Sequence, residues 1–520
     1  MDPQFLEQLH DSSIFPDPGD SVAVLQTHLS VVCLTGRRAY KFKKPIKLDF
    51  VDYSTLARRK IFCSEEVRLN RRLCPEIYLD VVSLVRLPDG ALRIGGGEGK
   101  SNGEIIDYAV EMVLLPEDRM LDRLLEDGAV TSGQIREVAY KVASFHRTGE
   151  RGREVDACGN PEHLARFALE NFEETRSAVG TIFDPTLHRK LEEKTRRDFE
   201  QLIPDLGRRV GEGRVVDGHG DLHARNICLS DPMAIYDCIE FNRDFRCSDT
   251  ALENAFLVMD LQYRGHPELA ATYLDAYVES SGDGEQGSLM PALVRYRAMV
   301  RAKVSAIAAG EEELSGEEKK SASAEARRYF HFSAASAIGD QSWLVICCGL
   351  PGSGKSCLCR AMGEETGWAT FGSDRVRKEM AGVEPHERLD PQFYGPSFSE
   401  GVYRELIERG IDTAEQHGVA LMDANFRTRS LRKMAREAAG ARNLKLAILQ
   451  IELPESLAIE RLAERKEENR EASDADIAVY RQLKAEYERP EPSEADRLVI
   501  VDGQSEKDRS IPEILSELMD

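Results

Sequence analysis

Short apolar runs separated by turns mark the first part of the chain. Residues 30–34, a turn at Gly36 and residues 39–43 predict a β-hairpin. Residues 54–73 instead carry apolar positions at helical spacing among many charges. Further strands are predicted at 81–87, 92–94 and 105–115, and mostly helical spacing follows from about 118 to 210. The pattern predicts a small sheet lobe followed by a larger helical lobe.

A second pattern begins near residue 342, where strands of buried type alternate with helical stretches. Its apolar runs of strand length are 344–348, 419–422, 446–451 and 498–501. Such alternation predicts a parallel sheet with helices on both faces. Between the two patterns, residues 309–328 are charged and small, which indicates an exposed helix or linker. The predicted domains are 1–115 and 116–308 for the two lobes of an α+β unit, 309–341 for the linker and 342–520 for an α/β domain.

One segment directly follows the first of these later strands and matches the phosphate-binding pattern GxxxxGK[ST] throughout. Its glycines let successive backbone N–H groups turn towards phosphate oxygens, and the following helix adds its positive N-terminal dipole. Lys355 would bridge the outer phosphates, and Ser356 would hold Mg²⁺. A chance glycine-serine turn is the alternative, but the order of strand, loop and helix argues against it. The candidate nucleotide-binding residues here are Gly349, Leu350, Pro351, Gly352, Ser353, Gly354, Lys355, Ser356 and Cys357.

Two acidic residues and several arginines of the same domain could complete a phosphotransfer site. Asp374 could accept the proton of a substrate hydroxyl, and Arg377, one turn later, could grip substrate or phosphate. Asp423 ends a predicted buried strand, where it could lie near Mg²⁺ or its water ligands. Arg461 and Arg465 lie on a charged helix that could close over the transferring phosphoryl group. Helix caps for the acids and a solvated, salt-bridged face for the arginines are the alternatives.

This domain resembles the small P-loop kinases related to polynucleotide kinase and zeta toxin. The resemblance covers about 342–505 and rests on the phosphate loop, the pair Asp374-x-x-Arg377, the strand ending at Asp423 and the arginine helix. It implies Asp374 as general base and Arg377 as a substrate ligand. Because substrates in that superfamily include sugars, nucleosides, nucleic-acid ends and nucleotide sugars, the acceptor stays open.

A second phosphotransfer pattern lies upstream, at 219–237. His219-Gly-Asp221 is followed by Asn226, and a short predicted strand then ends at Asp237. Asp221 could orient and deprotonate a substrate hydroxyl, while Asn226 and Asp237 could hold Mg²⁺ that bridges ATP phosphates. A polar turn that caps two strands is the alternative. The order of acid, amide, strand and acid favours the phosphotransfer site.

The sheet lobe supplies candidate partners for ATP. Lys41 lies on a predicted strand where an ATP-pairing lysine is required, and Glu66 on the next helix could hold it by an ion pair. Lys43 points to the same side as Lys41, because strand side chains alternate with period two. Glu65 likewise competes with Glu66. The sequence leaves both choices open, and each residue could instead be a surface charge.

Residues 20–300 resemble the aminoglycoside phosphotransferase family, which has a protein-kinase-like bilobal fold. The likeness is carried by His219-Gly-Asp221, Asn226, Asp237, the lysine strand at 34–45 and the helix at 63–73. It implies Asp221 as catalytic base, Asn226 and Asp237 as metal ligands, and Lys41 as an ATP ligand. It does not imply antibiotic resistance, because relatives phosphorylate varied hydroxyl compounds. With its P-loop domain, the chain resembles fusions of an aminoglycoside phosphotransferase-like unit with an ATP-binding unit.

The composition of the chain limits the kinds of molecule that it is expected to bind and the compartment in which it is expected to lie. The chain has 520 residues, of which 69 are basic and 91 acidic, for a net charge of −22. This acidity argues against a nucleic-acid surface, although a local basic groove is compatible with it. No apolar run is long enough for a membrane helix, and the first residues do not resemble a secretory signal. Eleven scattered cysteines indicate free thiols, so a cytoplasmic location is expected.

Together these features predict a tandem enzyme with two ATP·Mg²⁺ sites, each phosphorylating a hydroxyl of a small molecule. The protein would mainly position the acceptor and neutralise charge. One alternative is an ATP-binding switch or toxin-related module with little turnover. Another is a nucleic-acid end kinase that uses the later domain. Neither the acceptors nor the oligomeric state can be deduced from the sequence.

Overall fold

The computed structural model describes residues 3–17, 19, 21–48, 51–95, 103–311, 314–384, 387, 389–468 and 477–520. The strands are β1 (Ala23–Gln26), β2 (Ser30–Leu34), β3 (Arg38–Lys43), β4 (Lys47–Leu48), β5 (Val51–Asp52), β6 (Tyr78–Arg86), β7 (Leu92–Gly95), β8 (Glu104–Val113), β9 (Val215–Asp217), β10 (Ile227–Cys228), β11 (Ala234–Ile235), β12 (Cys247–Asp249), β13 (Trp343–Cys348), β14 (Ala369–Gly372), β15 (Val419–Asp423), β16 (Lys445–Glu452) and β17 (Arg497–Asp502).

The α-helices are α1 (Pro3–Gln8), α2 (Leu56–Asn70), α3 (Leu121–Glu126), α4 (Ser132–Thr148), α5 (Arg153–Cys158), α6 (Pro161–Glu174), α7 (Pro185–Gly211), α8 (Arg243–Arg246), α9 (Thr250–Tyr263), α10 (Pro267–Ser281), α11 (Gln286–Ala309), α12 (Gly316–Ile338), α13 (Lys355–Thr366), α14 (Ser373–Ala381), α15 (Pro396–His417), α16 (Arg429–Ala441), α17 (Glu455–Glu468), α18 (Ile477–Ala485) and α19 (Lys507–Leu518). Residue contacts divide the chain into two compact units. The first contains 1–164 and 202–290, and the second contains 165–201 and 291–520.

The first unit begins with a six-stranded antiparallel sheet in the order β1-β2-β3-β8-β6-β7. The predicted hairpin at 30–43 and the predicted helix at 54–73 are confirmed as β2–β3 and α2. Alternation along β3 places Tyr40 and Phe42 in one apolar cluster, whereas Ala39 lies in the cluster that includes residues of α2. The lysines of β3 therefore point towards α2.

The rest of the first unit is mostly helical, as the spacing after residue 118 predicts. Two two-stranded ladders, β9–β12 and β10–β11, lie among these helices, and a third, β4–β5, lies before α2. Helix α4 begins at a capping box in which Thr131 and Gln134 satisfy each other's backbone N–H groups. The catalytic-loop candidate at 219–226 lies between β9 and β10.

The second unit contains a five-stranded parallel sheet in the order β14-β15-β13-β16-β17. The predicted parallel sheet and all four of its predicted strands are confirmed. The apolar runs do not predict the fifth strand, edge strand β14 at Ala369–Gly372. None of its residues is fully buried, so it has no long apolar run in its sequence. Central strand β13 has six buried residues and leads into the phosphate loop. The loop thus lies at the carboxyl edge of the sheet, where ligands of open α/β sheets bind.

The segment 309–341, predicted as a linker whose first part is an exposed helix or linker, contains one long helix. Residues 316–338 form helix α12, which starts at a capping box between Ser315 and Glu318. Its second half buries Tyr329, Phe330 and other apolar side chains, and it packs against α13 and α19 of the second unit. The first half of the segment is rich in charged residues, and the linker prediction rests on that half. The apolar run that follows it is the part that packs against the rest of the second unit. The boundaries drawn by contacts also fall inside α6, α7 and α11 rather than at 308.

Every helix in the described ranges is too short or too polar to qualify as a membrane span.

Candidate active sites

In the first unit, Lys41 of β3 lies between two carboxylates. Its Nζ atom is 2.9 Å from Oε1 of Glu66 and 2.5 Å from Oδ1 of Asp237. The structure thus places Glu66 of α2 against the lysine, whereas Glu65 faces outward and pairs with Arg68 at 2.6 Å. The sequence leaves Glu65 and Glu66 as alternatives, and in the structure it is Glu66 that pairs with Lys41. Adjacent residues of a helix point about 100° apart, so the two glutamates face different sides of α2.

Lys43 also binds Glu66, through the other carboxylate oxygen, at 2.7 Å. Its Nζ additionally contacts Oε1 of Glu240, and that same oxygen accepts a 2.5 Å hydrogen bond from the Tyr53 hydroxyl. Lys43 is 1% exposed at its side chain, whereas Lys41 is 15% exposed. Both lysines therefore pair with Glu66, but Lys41 is the more accessible of the two.

These charges stabilise one another's ionised forms. Burial alone raises the pKa of Glu66, but Lys41 and Lys43 lower it to about 2. Burial alone lowers the pKa of Lys41, but Asp237, Glu66 and Glu240 raise it well above 10.5. The pKa of Lys43 is raised for the same reason, chiefly by Glu240 and Glu66 against the effect of burial. The cluster accordingly holds Lys43, Glu66 and Glu240 in a buried region, whereas Lys41 reaches its edge and the side chain of Asp237 is 42% exposed.

The predicted acid and amide of the catalytic loop lie together. Asn226 donates through Nδ2 to the backbone oxygen of Asp221 at 2.9 Å and to its Oδ2 at 3.2 Å. Nε2 of His223 lies 3.3 Å from that same Oδ2. Two side chains thus orient the Asp221 carboxylate, as a general base requires.

The backbone around Asp237 is held in a conformation that side chains rarely adopt. Asp237 has φ 64°, in the left-handed region. Its N–H donates to the Tyr78 hydroxyl at 3.1 Å, and the next N–H donates to Oδ1 of Asn70 at 2.9 Å. His219 contacts the carbonyl oxygen of Tyr236 at 2.9 Å, which gives this histidine a structural role. Such strain persists where surrounding contacts over-determine it, and it is frequent at functional sites.

Glu253 of α9 supports the catalytic loop and was not among the candidate residues. Its Oε2 accepts from the N–H of His219 at 2.7 Å and of Gly220 at 3.2 Å, while Oε1 contacts His146 at 2.8 Å. Burial opposes ionisation of Glu253, but His146 and His219 lower its pKa to about 2. A signal was available in the sequence, because Glu253 lies among many apolar residues, and a charged residue in a buried helix requires buried partners.

In the second unit, the phosphate loop has the backbone that its glycines predict. Gly352 has φ 80° and Gly354 has φ 99°, both in the left-handed region. A Cβ atom at Gly349 would lie 2.8 Å from Oγ of Ser353, and one at Gly352 would lie 2.9 Å from the Ala458 carbonyl oxygen. The loop therefore closes too tightly on its surroundings for larger residues.

Lys355 folds back over this loop. Its Nζ donates to the carbonyl oxygens of Gly349 at 2.9 Å and Leu350 at 3.1 Å. Burial lowers the pKa of Lys355, and the negative charge of Asp423 opposes that effect. Asp423 is the last residue of β15, as predicted, and β15 pairs with the strand that precedes the loop. Ser356 and the exposed Cys357 follow Lys355 in the first turn of α13.

Asp374 lies in the first turn of α14, directly after β14. Arg377, one turn later, is buried. Its Nη1 donates to the Phe393 carbonyl oxygen at 2.8 Å and to Ser399 at 3.1 Å. Its guanidinium lies 5.0 Å from the centre of the Tyr394 ring, while Nε has no hydrogen-bond partner among the described residues. Arg377 thus anchors the segment around 393–399, in addition to any ligand it contacts.

The arginine helix corresponds to α17. Arg461 donates through Nη2 to the carbonyl oxygen of Gly503 at 3.1 Å, and its Nη1 lies 3.7 Å from the position that a Cβ atom on Gly354 would occupy. Arg465 lies in the same helix, but its side chain falls outside the described residues. Arg461 is therefore the predicted lid arginine that the structure brings to the phosphate loop.

Both candidate sites present side-chain oxygens that would suit Mg²⁺. Asn226 and Asp237 in the first unit, and Ser356 and Asp423 in the second, offer the oxygen ligands that Mg²⁺ prefers. Inside the phosphate loop, the Ser353 hydroxyl is buried without a hydrogen-bond partner in the described structure. The described residues contain no cluster of three or more metal-binding side chains. Two ligands per site still fit Mg²⁺, which commonly completes its shell with water and phosphate oxygens.

A separate surface cavity of about 550 Å³ lies in the first unit. It is lined by Pro116, Arg119, Gln134, Glu137, Leu229, Ser230, Asp231 and Met233. None of the candidate site residues lines it.

Comparison with known sequences gives relatives along most of the chain. The AAA domain family (AAA_33) matches residues 344–490, which contain the phosphate loop. Three proteins are each 30% identical to this chain over 424 residues, which is 80% of this chain and 81% of the relative. They are the uncharacterized proteins Rv2004c and MT2060 of Mycobacterium tuberculosis and Mb2027c of Mycobacterium bovis.

Among solved structures, a sugar kinase from Janibacter sp. HTCC2649 is 19% identical with a TM-score of 0.27, covering 34% of this chain and 94% of its own. A gluconokinase from Sinorhizobium meliloti 1021 is 21% identical with a TM-score of 0.24, covering 34% of this chain and 91% of its own. Each similarity is confined to about a third of this chain.

Proposed function

We propose that this chain, which belongs to the family of the mycobacterial protein Rv2004c, transfers the γ-phosphate of ATP to hydroxyl groups of small molecules at two separate sites. The observation that carries the proposal is the phosphate loop. It combines left-handed glycines, a buried lysine folded over the loop and an acid at the end of the neighbouring strand. That arrangement serves phosphoryl transfer by positioning and by electrostatic stabilisation.

In the second unit, the loop N–H groups and Lys355 would bind the phosphates. Ser356 and Asp423 would hold Mg²⁺ directly or through water, and Asp374 would accept the acceptor's proton. Arg461 lies near Gly354 in the described structure, so it would neutralise charge on the transferring group. Arg377 would contact the acceptor while it anchors residues 393–399.

In the first unit, we assign the phosphate-binding role to Lys41 rather than Lys43. Lys41 is the more exposed of the two, and it touches Asp237, a proposed Mg²⁺ ligand. Lys43 is enclosed by carboxylates and Tyr53. The ion pair with Glu66 would keep Lys41 extended towards the phosphates.

Asp221 would orient the acceptor hydroxyl and take its proton. Asn226 would hold the loop and offer its amide oxygen to Mg²⁺, with Asp237 as the second ligand. The protein-kinase-like arrangement of this unit is part of the proposal, supported by the antiparallel sheet, the lysine–glutamate pair and the order of Asp221, Asn226 and Asp237. ATP·Mg²⁺ would supply the phosphoryl group and the cation that bridges its oxygens.

The test uses full-length protein incubated with ATP, Mg²⁺ and a pool of cell metabolites, with products detected by a phosphate mass shift. Wild type is compared with Asp221→Asn, Lys355→Ala and the double variant. Glu65→Gln serves as a control because Glu65 lies on the outer face of α2, paired with Arg68.

Loss of different products in the two single variants would support two kinases and would identify their acceptors. Loss of one product in both variants would indicate that the two sites act in one coupled pathway rather than independently. Oligonucleotides are added in a parallel reaction, and phosphorylation of their ends alone would favour the nucleic-acid kinase. The absence of any product, despite ATP binding, would overturn the proposal and favour a nucleotide-controlled switch.

A further inference from the structure

We propose that Lys43, Tyr53 and Glu240 form a buried brace that positions Asp237 for Mg²⁺ in the first unit. The inference rests on the proposed function of that site. None of the three residues is assigned a part in the phosphotransfer chemistry itself. They are positioning residues, which act through the segment 237–240.

The brace joins three separate parts of the first unit at one carboxylate. Oε1 of Glu240 contacts Lys43 from β3 and the Tyr53 hydroxyl from the loop before α2. The Lys43 ammonium also lies 5.0 Å from the centre of the Tyr53 ring. The side chains of Lys43 and Glu240 are 1% and 6% exposed, so their interaction is little weakened by water.

The spacing of charges couples this brace to the proposed metal ligand. Lys41 and Lys43 lie on one face of β3, two residues apart, and Glu66 binds both. On the opposing segment, Asp237 contacts Lys41 and Glu240, three residues later, contacts Lys43. The segment is therefore fastened to the strand at two points, with one acid at each.

Asp237 needs such fastening because of its backbone. A residue other than glycine in the left-handed region typically costs about 1–3 kcal/mol and persists only where neighbouring contacts fix it. Tyr78 and Asn70 fix the N–H groups at the start of the segment. Glu240 fixes its end. Loosening that end would let the Asp237 carboxylate leave the position in which it can bind a metal.

The experiment measures Mg²⁺-dependent nucleotide binding rather than turnover. Full-length protein carrying Lys355→Ala, which silences the phosphate loop, is titrated with a fluorescent ATP analogue at a series of Mg²⁺ concentrations and in EDTA. Glu240→Gln and Tyr53→Phe are introduced into this background. Tyr53→Phe removes one hydroxyl and leaves the buried ion pairs, so it keeps the test informative if Glu240→Gln fails to fold. Glu65→Gln is the matched control.

The brace predicts that the Mg²⁺ concentration for half-maximal binding rises roughly 10–100-fold in Glu240→Gln, as for other groups that orient metal ligands. A smaller rise is expected in Tyr53→Phe and none in Glu65→Gln. Binding in EDTA should stay close to that of the Lys355→Ala protein in both variants, and so should the melting temperature of Tyr53→Phe without nucleotide. Glu240→Gln removes a carboxylate partner of buried Lys43, so its melting temperature should fall. Restoring Mg²⁺ to high concentration should recover binding in both variants.

Equal weakening with Mg²⁺ and in EDTA would overturn the proposal and leave these residues a merely structural role. An unchanged Mg²⁺ requirement in folded Tyr53→Phe and Glu240→Gln proteins, or no Mg²⁺-dependent binding in the Lys355→Ala protein, would overturn it as well. Failure of the proposed function is a distinct result. In that case the Lys355→Ala protein binds ATP·Mg²⁺ at the first site, and its Mg²⁺ requirement depends on Glu240 and Tyr53, but it forms no phosphorylated product.

Discussion

At the scale of single residues, the first site depends on carboxylates that are buried together with their cations. Glu66 is fully buried and binds two lysines with its two oxygens. Removing one partner of a buried ion pair is costly because it leaves an uncompensated charge away from water. The same residue type one position earlier, Glu65, binds Arg68 near the surface and is screened by solvent.

We therefore expect Glu66→Gln to lower the free energy of unfolding of the protein by about 3–5 kcal/mol at neutral pH. Glu65→Gln should lower it by less than about 1 kcal/mol. Because the folded-state pKa of Glu66 is lowered to about 2, the stability it confers is fully present above about pH 4.5 and is lost as the pH falls towards 2. Urea titrations at several pH values should show the gap between wild type and Glu66→Gln narrowing over that range. An equal effect of the two variants at pH 7 would contradict this assignment of charges.

At the scale of secondary-structure elements, the phosphate loop shows how a strand, a turn and a helix fix a binding surface together. Central strand β13 is wholly buried, and α13 begins at Lys355 immediately after the left-handed Gly354. The close approach of Gly352 to α17 ties the loop to the helix that carries Arg461. Loop geometry and the position of the arginine helix therefore depend on the same glycine.

Replacing Gly352 by alanine should weaken ATP binding at the second site by tenfold or more. Left-handed backbone costs an alanine about 1–2 kcal/mol, and its Cβ would also press on the Ala458 carbonyl oxygen at 2.9 Å. Gly354→Ala should cost less, because the nearest neighbour of its Cβ is a flexible arginine tip at 3.7 Å. Gly440→Ala, in open space on α16, should leave binding unchanged and stabilise the helix slightly. Nucleotide titration in the Asp221→Asn background measures all three, and equal losses for Gly352 and Gly354 would argue against the steric explanation.

At the scale of the whole molecule, the second unit extends beyond the P-loop domain marked by sequence. Helix α12 buries a row of apolar side chains and also contacts α13 through polar groups. Arg328 donates to the Glu364 carbonyl oxygen at 2.9 Å, and His331 contacts Glu365 at 3.0 Å. Without α12, the helices that cover that side of the parallel sheet lose part of their packing.

We expect a fragment of residues 342–520 to be markedly less stable and less soluble than a fragment of residues 291–520. Each fully buried large apolar side chain contributes about 1.5–3 kcal/mol, and domains are stable by only about 5–15 kcal/mol. Losing contacts with Tyr329, Phe332 and Ile338 would therefore remove much of the free energy of unfolding of this domain. Thermal unfolding and binding of a hydrophobic dye compare the fragments, and a cooperative transition of equal midpoint in both would refute the expectation.

The sequence by itself determined the elements whose signals are local. Apolar runs predict the strands of the parallel sheet, and a glycine pattern between a strand and a helix predicts the phosphate loop. Asp221 and Asn226, predicted to serve one site, are five positions apart, and the structure joins them by hydrogen bonds. These features depend on neighbours along the chain, so reading along the chain finds them.

The tertiary structure decided what depends on distant partners. It showed that Glu66 binds both lysines, that Glu240 and Tyr53 enclose Lys43, and that α12 belongs to the second unit. Lys43 and Glu240 are 197 residues apart in sequence, so no local pattern shows that the two pair. A buried charge depends on the side chains that surround it in three dimensions. Only a paired or hydrogen-bonding partner can offset the free energy that the charge loses when it leaves water.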